Sequence, residues 1–113
     1  MAEEFNPSEA GRRIAREYLS KLGWAKEWRR TLNTQLYPAV EREVLEEKER
    51  HVDRMEEAAE AFLSSAYDQW RRDPSPQARE VLQGIYEILG KRSDLGFIAK
   101  RIVERIRGTL ASP

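Results

Sequence analysis

Residues 38 to 72 read PAVEREVLEEKERHVDRMEEAAEAFLSSAYDQWRR, and this stretch decides the fold. Leu45, Val52, Ala59 and Ala66 recur every seven residues, with Met55, Phe62, Leu63 and Trp70 alongside, which is the spacing of a coiled-coil-like seam. Lys48 interrupts that seam near its start. Glu43, Glu46, Glu47, Glu57 and Glu60 fall on the other face, so one side is apolar and the other densely acidic. Pro38 suits a first helical position and not an interior one. The spacing therefore predicts one long helix over about 38–72, about 50 Å at the usual rise per residue.

Upstream, Asn6-Pro7-Ser8-Glu9 reads as a helix cap, a proline at the first helical position and a glutamate three residues after the cap, with Phe5 and Ala10 as a weak hydrophobic staple. Ala10, Ile14, Ala15, Tyr18, Leu19 and Leu22 share one face of that helix, and Gly23 is its expected stop. A second helix over 24–36 sets Trp24, Trp28, Leu32 and Leu36 four residues apart, a stripe that predicts buried tryptophans. Trp70 shares the Leu63/Ala66 stripe and is expected inside as well. The repeated triplet Trp-Arg-Arg at 28–30 and 70–72 is then two helix edges that look alike.

Downstream, RRDPSPQ (71–77) is a break with Asp73 or Ser75 as cap and Pro74 or Pro76 as first helical residue. Ala78, Val81, Leu82, Ile85, Tyr86 and Leu89 mark a fourth helix ended by Gly90. Ser93 or Asp94 can cap a fifth, with Leu95, Ile98, Ala99, Ile102, Ile106 and Leu110 inward. The expectation is all-α: a single domain over 1–113, a bundle of about five helices, its long central helix flanked by an N-terminal and a C-terminal helical hairpin.

The 113 residues suit one domain with a modest core, and 40% hydrophobic with 35% charged residues is a globular composition with wide solvated faces. No apolar run approaches the roughly 18 residues that span a bilayer, and the start MAEEFNPSEA lacks a basic, apolar leader, so a cytoplasmic protein without membrane contact is expected. The absence of cysteine excludes a disulfide framework, a thiolate metal site and a cysteine nucleophile.

Chemistry is sparse. Glu47 and His51 lie one turn apart, but a di-iron bundle needs a Glu-x-x-His pair from each of two helices, and this chain has one histidine with a lysine three residues before it. No base and orienting acid can be assigned around Ser64, Ser65 or Thr31, and no glycine-rich phosphate loop is present, so neither an enzyme nor a cofactor is expected.

Charge is the better lead. The net charge is zero, yet residues 1–36 carry +2, residues 37–70 carry −6 and residues 71–113 carry +4, and fifteen of the twenty basic residues are arginine. Candidate phosphate contacts are Arg12, Arg13, Arg16, Lys26, Arg30, Arg71, Arg72, Lys91, Arg92, Lys100 and Arg101, which could merge into one basic surface if the hairpins fold side by side. Against this stand local ion pairs at helical spacing, such as Glu9 with Arg13, and the ordinary place of Arg71 and Arg72 at a helix C-terminus. Phe97 projects away from the Leu95/Ile98/Ile102 stripe onto the charged side, either to stack on a base, to anchor a protein, or to fold over the helix start.

The pattern is similar in kind to the small helical subunits of nucleoprotein complexes, including those of CRISPR effectors, a likeness of class that rests on no motif. The expected function is a non-enzymatic subunit contacting the backbone of RNA or single-stranded DNA without reading sequence, beside larger protein partners. The alternative is a protein-protein module, joined to a second copy or another partner through Leu45, Val52, Met55 and Phe62 of the long seam.

Overall fold

The computed structural model describes residues 4–34 and 42–112, and in these it is all-helical: α1 Pro7–Thr34, α2 Arg42–Arg71, α3 Pro76–Leu89 and α4 Phe97–Ala111. Asn6 caps α1 as expected, its Oδ1 accepting from the Glu9 amide at 3.1 Å. Gly23 does not end the helix. α1 runs on to Thr34 as one 28-residue helix, so four helices replace the expected five and no separate N-terminal hairpin forms. A glycine inside a helix costs only about 1 kcal/mol relative to alanine. The buried stripe Tyr18, Leu22, Ala25 passes straight through it, and that burial outweighs the cost.

α2 falls within the expected long helix, whose proposed start at Pro38 lies outside the described residues, as does Leu36. At 30 residues it is nearly matched by α1, so two long antiparallel helices, not one, set the length of the molecule. At the next break the choice of cap is Ser75, whose Oγ accepts from the Ala78 amide at 3.3 Å, with Pro76 following. Asp73 shapes the turn instead, accepting from the Ser75 amide at 2.8 Å, and that bond holds its carboxyl below the usual range. α4 starts later than expected, with Gly96 at the cap position and Asp94 engaged elsewhere. Its C-terminal carbonyls at Leu110 and Ser112 accept from the Arg79 guanidinium of α3 at 2.7 and 3.0 Å.

α1 packs on both α2 and α3, and α4 lies against α2 and α3. The core joins Tyr18 and Leu22 of α1, Ala59, Leu63 and Tyr67 of α2, Leu82, Ile85 and Leu89 of α3, and Ala99, Ile102 and Ile106 of α4. Where α1 crosses α3, glycines meet: a Cβ on Gly11 would collide with the Val81 carbonyl oxygen, and one on Gly84 with the Ser8 carbonyl oxygen. The short helices cover only part of the long pair, whose far end projects as an arm; residues 42–51 are all exposed. The molecule measures 58 × 36 × 22 Å with a radius of gyration of 17.4 Å, against about 13 Å for a compact chain of this length. No helix among the described residues is long and apolar enough to cross a membrane.

Candidate nucleic-acid interface

α2 and α4 run side by side and leave an open groove of about 490 Å³ between them. Ser64, Ser65, Asp68 and Arg71 line it from α2, on successive turns of one face, and Ile98, Arg101 and Arg105 line it from α4 in the same way. Asp68 accepts from Arg71 at 2.8 Å and lies 3.4 Å from Arg72. The Arg71 hydrogen bond holds the Asp68 carboxyl below the usual carboxylate range. Neither Arg105 nor Lys100 has an ion pair among the described residues.

Phe97, the first residue of α4, does not fold over the helix start. It is 73% exposed, with the Arg101 guanidinium 5.7 Å from its ring centroid.

The other expected phosphate contacts do not join this groove. Arg12 lies 3.0 Å from both Glu9 and Glu87, and Arg16 is 2.9 Å from Glu9. Lys26 reaches Asp94 at 3.1 Å, and Arg92 reaches the same carboxylate at 2.8 Å. Together they push the Asp94 carboxyl well below its usual range, Arg92 contributing most. Arg30 is exposed but has a partner within the chain. Arg13 borders a hollow with Phe5 and Glu9, and Lys91 borders another with Arg79 and Glu87. The basic residues thus do not merge into one surface; Arg71 and Arg101 line the α2–α4 groove, Arg72 follows Arg71, Phe97 stands beside Arg101, and Lys100 and the rest are dispersed, several neutralised by carboxylates distant in sequence. Ser64 and Ser65 belong to the groove without having been assigned to it; their place one turn before Asp68 and two before Arg71 was the available signal.

A second groove of about 610 Å³ shares Ala61, Ser64 and Ile98 with the first and has the opposite charge, lined by Asp53, Glu56, Glu57, Glu60 and Asp94 with Lys26. Beneath it the buried Tyr18 hydroxyl donates to Glu60 Oε1 at 2.8 Å, while Glu60 Oε2 is buried without a hydrogen-bond partner.

The arm carries the remaining correction. Trp24 and Trp28 are not core residues: they are 61% and 44% exposed, and Trp28 borders a hollow with the exposed Val44 of α2 and stands edge-on to His51 at 6.4 Å. The face of α1 turned to α2 carries Ala25 and Arg29 instead, and Arg29 bonds Asp53 at 2.6 Å and Glu56 at 3.0 Å. A side chain one position from Ala25 is rotated about 100° away from that contact, so the large tryptophans face out. Trp70 is partly buried against the core, as expected, and stacks on Phe5 at 6.4 Å.

The seam of α2 is used within the chain. Val52 has no exposed surface and is unavailable to a partner, which overturns its assignment to an interface; Met55 and Phe62 are half-buried, and only Leu45 is open. Among the described residues no group of histidine and carboxylate side chains could hold a metal ion.

Comparison of the chain with protein-family models, with curated proteins and with solved structures returns no match.

Proposed function

We propose that this chain is a non-enzymatic helical subunit of a larger nucleoprotein assembly, and that it touches the nucleic-acid backbone through the α2–α4 groove without reading sequence. One observation carries the reading: three arginines, Arg71, Arg101 and Arg105, and two hydroxyls, Ser64 and Ser65, line a single groove in which Asp68 is the one acidic lining residue. Guanidinium forks and hydroxyls are the donors that hold phosphate oxygens, and such contacts fix position, not sequence. Arg72 follows Arg71 at the end of α2 and adds to the field of the groove; Arg12, Arg16, Lys26 and Arg92 lie outside the groove, paired with carboxylates there, and are left out of the proposal.

With the chain neutral overall, affinity is local and modest. Neutralising about three phosphates gives a slope of log K against log salt of about −2 to −3. Fluorescence anisotropy at low salt tests this. Arg101→Glu with Arg105→Glu is expected to abolish binding, whereas Lys91→Glu, outside the groove, leaves it nearly unchanged. Absence of binding to any DNA or RNA at low salt, with or without native partners, refutes the proposal.

A second reading, a protein-protein module, is favoured by the exposed Trp24, Trp28, Val44 and Leu45 on the arm. It takes the arm as the docking element and needs no nucleic acid. The mass of the species recovered from the native host, with and without nuclease, separates the two: a nuclease-sensitive assembly favours the first and a nuclease-resistant one the second.

A further inference from the structure

We infer that the strand taken by the α2–α4 groove is single, and that Phe97 stacks on an unpaired base where the basic groove gives way to the acidic one; this rests on the backbone-binding reading above. Phe97, Arg101 and Arg105 stand four residues apart on one face of α4, a row that rises about 6 Å per step and about 12 Å in all. An exposed aromatic, a stacked guanidinium and a free guanidinium therefore follow one another along α4, the two guanidiniums lining the groove and the aromatic beside the first of them. That order suits a base followed by its phosphates.

Two features exclude a duplex from this place. A base within a duplex has its faces covered by its neighbours and cannot offer one to Phe97, whereas an unpaired base can. The second feature is the reversal of charge. The basic groove runs through Ala61, Ser64 and Ile98 into the groove that holds Glu57, Glu60 and Asp94. A duplex would bring its second phosphate backbone toward these carboxylates, but a single strand can lay its phosphates on Arg101 and Arg105 and stop, or turn away, at Phe97. Repulsion at the acidic end and the 12 Å row together set a short footprint of about two nucleotides.

The test is anisotropy at low salt with labelled ten-residue oligothymidine and oligouridine and with a DNA duplex of the same length, using the whole chain. Either single strand is expected to bind more tightly than the duplex. Phe97→Ala is expected to weaken single-strand binding by about 5- to 100-fold, to leave residual duplex binding unchanged, and to be rescued by Phe97→Trp. Because Phe97 lies in solvent, an unchanged melting temperature shows that the variant is folded. Equal binding of single strand and duplex, insensitive to Phe97→Ala, overturns the single-strand inference and leaves the backbone reading standing. Failure of every oligonucleotide to bind removes both. Tighter binding of an acidic phosphorylated peptide than of any oligonucleotide at the same salt makes the groove a peptide site and also overturns the inference.

Discussion

Gly11 of α1 and Gly84 of α3 face each other where the two helices cross, so closely that a Cβ on either would stand 3.0 Å from the other's Cα. Alanine at either position must push the helix backbones apart, because the obstructing atoms are main-chain and cannot rotate away. Gly11→Ala and Gly84→Ala are each expected to cost about 3 kcal/mol or more. Gly23 and Gly108 sit in helices with open space where a Cβ would go, and alanine there is expected to add about 1 kcal/mol of stability. Denaturant titration of the four variants checks the opposite signs.

Burial, and then the hydrogen bond to Glu60, raise the Tyr18 hydroxyl above its ordinary pKa. The folded chain keeps this proton after the unfolded chain has lost it. Stability from Tyr18 is therefore complete below about pH 10 and falls as pH rises beyond it. Tyr18→Phe is expected to flatten that alkaline loss. At neutral pH it is expected to cost about 1–3 kcal/mol, since the Glu60 carboxylate loses its Tyr18 donor. Urea midpoints at neutral and alkaline pH measure both effects.

Asp94 ties the α3–α4 loop to α1 through Arg92 and Lys26, which depress its pKa. For a carboxylate lowered in the folded state, the stabilisation is present above its unfolded value of about 4 and is lost as pH falls toward the folded one. Asp94→Asn is expected to lower the melting temperature slightly at neutral pH and to reduce its fall on acidification below about pH 4. Circular-dichroism melts across that range decide it, and an unchanged acid limb counts against the tie.

The exposure of Trp24 and Trp28 predicts emission that a soluble quencher reaches readily, and Trp24→Ser with Trp28→Ser is expected to remove most of that quenchable signal. Each change should move stability by no more than about 0.5 kcal/mol, as at a solvated surface. If the arm docks on a partner, quenching falls when the complex forms. Arg29→Glu behaves differently: it sets a third carboxylate beside Asp53 and Glu56 and is expected to destabilise the α1–α2 pairing in a melt.

Local chemistry was legible in the sequence. The Asn6 cap, the Ser75-Pro76 start of α3 and the periodicity of α2 and α3 depend on residues within a turn or two of one another, and each was readable there. What failed depends on distance between helices. Gly23 reads as a stop only until Ala25 is seen to be buried beyond it. The tryptophan stripe reads as core only if size decides which face is inside, whereas the approach of α1 to α2 selects the small Ala25. Most of the basic candidates were dispersed or neutralised by the same kind of relation. Arg12 with Glu87 and Lys26 with Asp94 join residues far apart in the chain, which helical spacing cannot reveal.

The projecting arm has a hydrodynamic consequence. A particle 58 Å long and 22 Å thick drags more solvent than a sphere of equal mass, so a lone chain elutes early from a sizing column and imitates a dimer. Light scattering or sedimentation equilibrium, which weigh the particle without assuming its shape, tell such a lone chain from a true dimer.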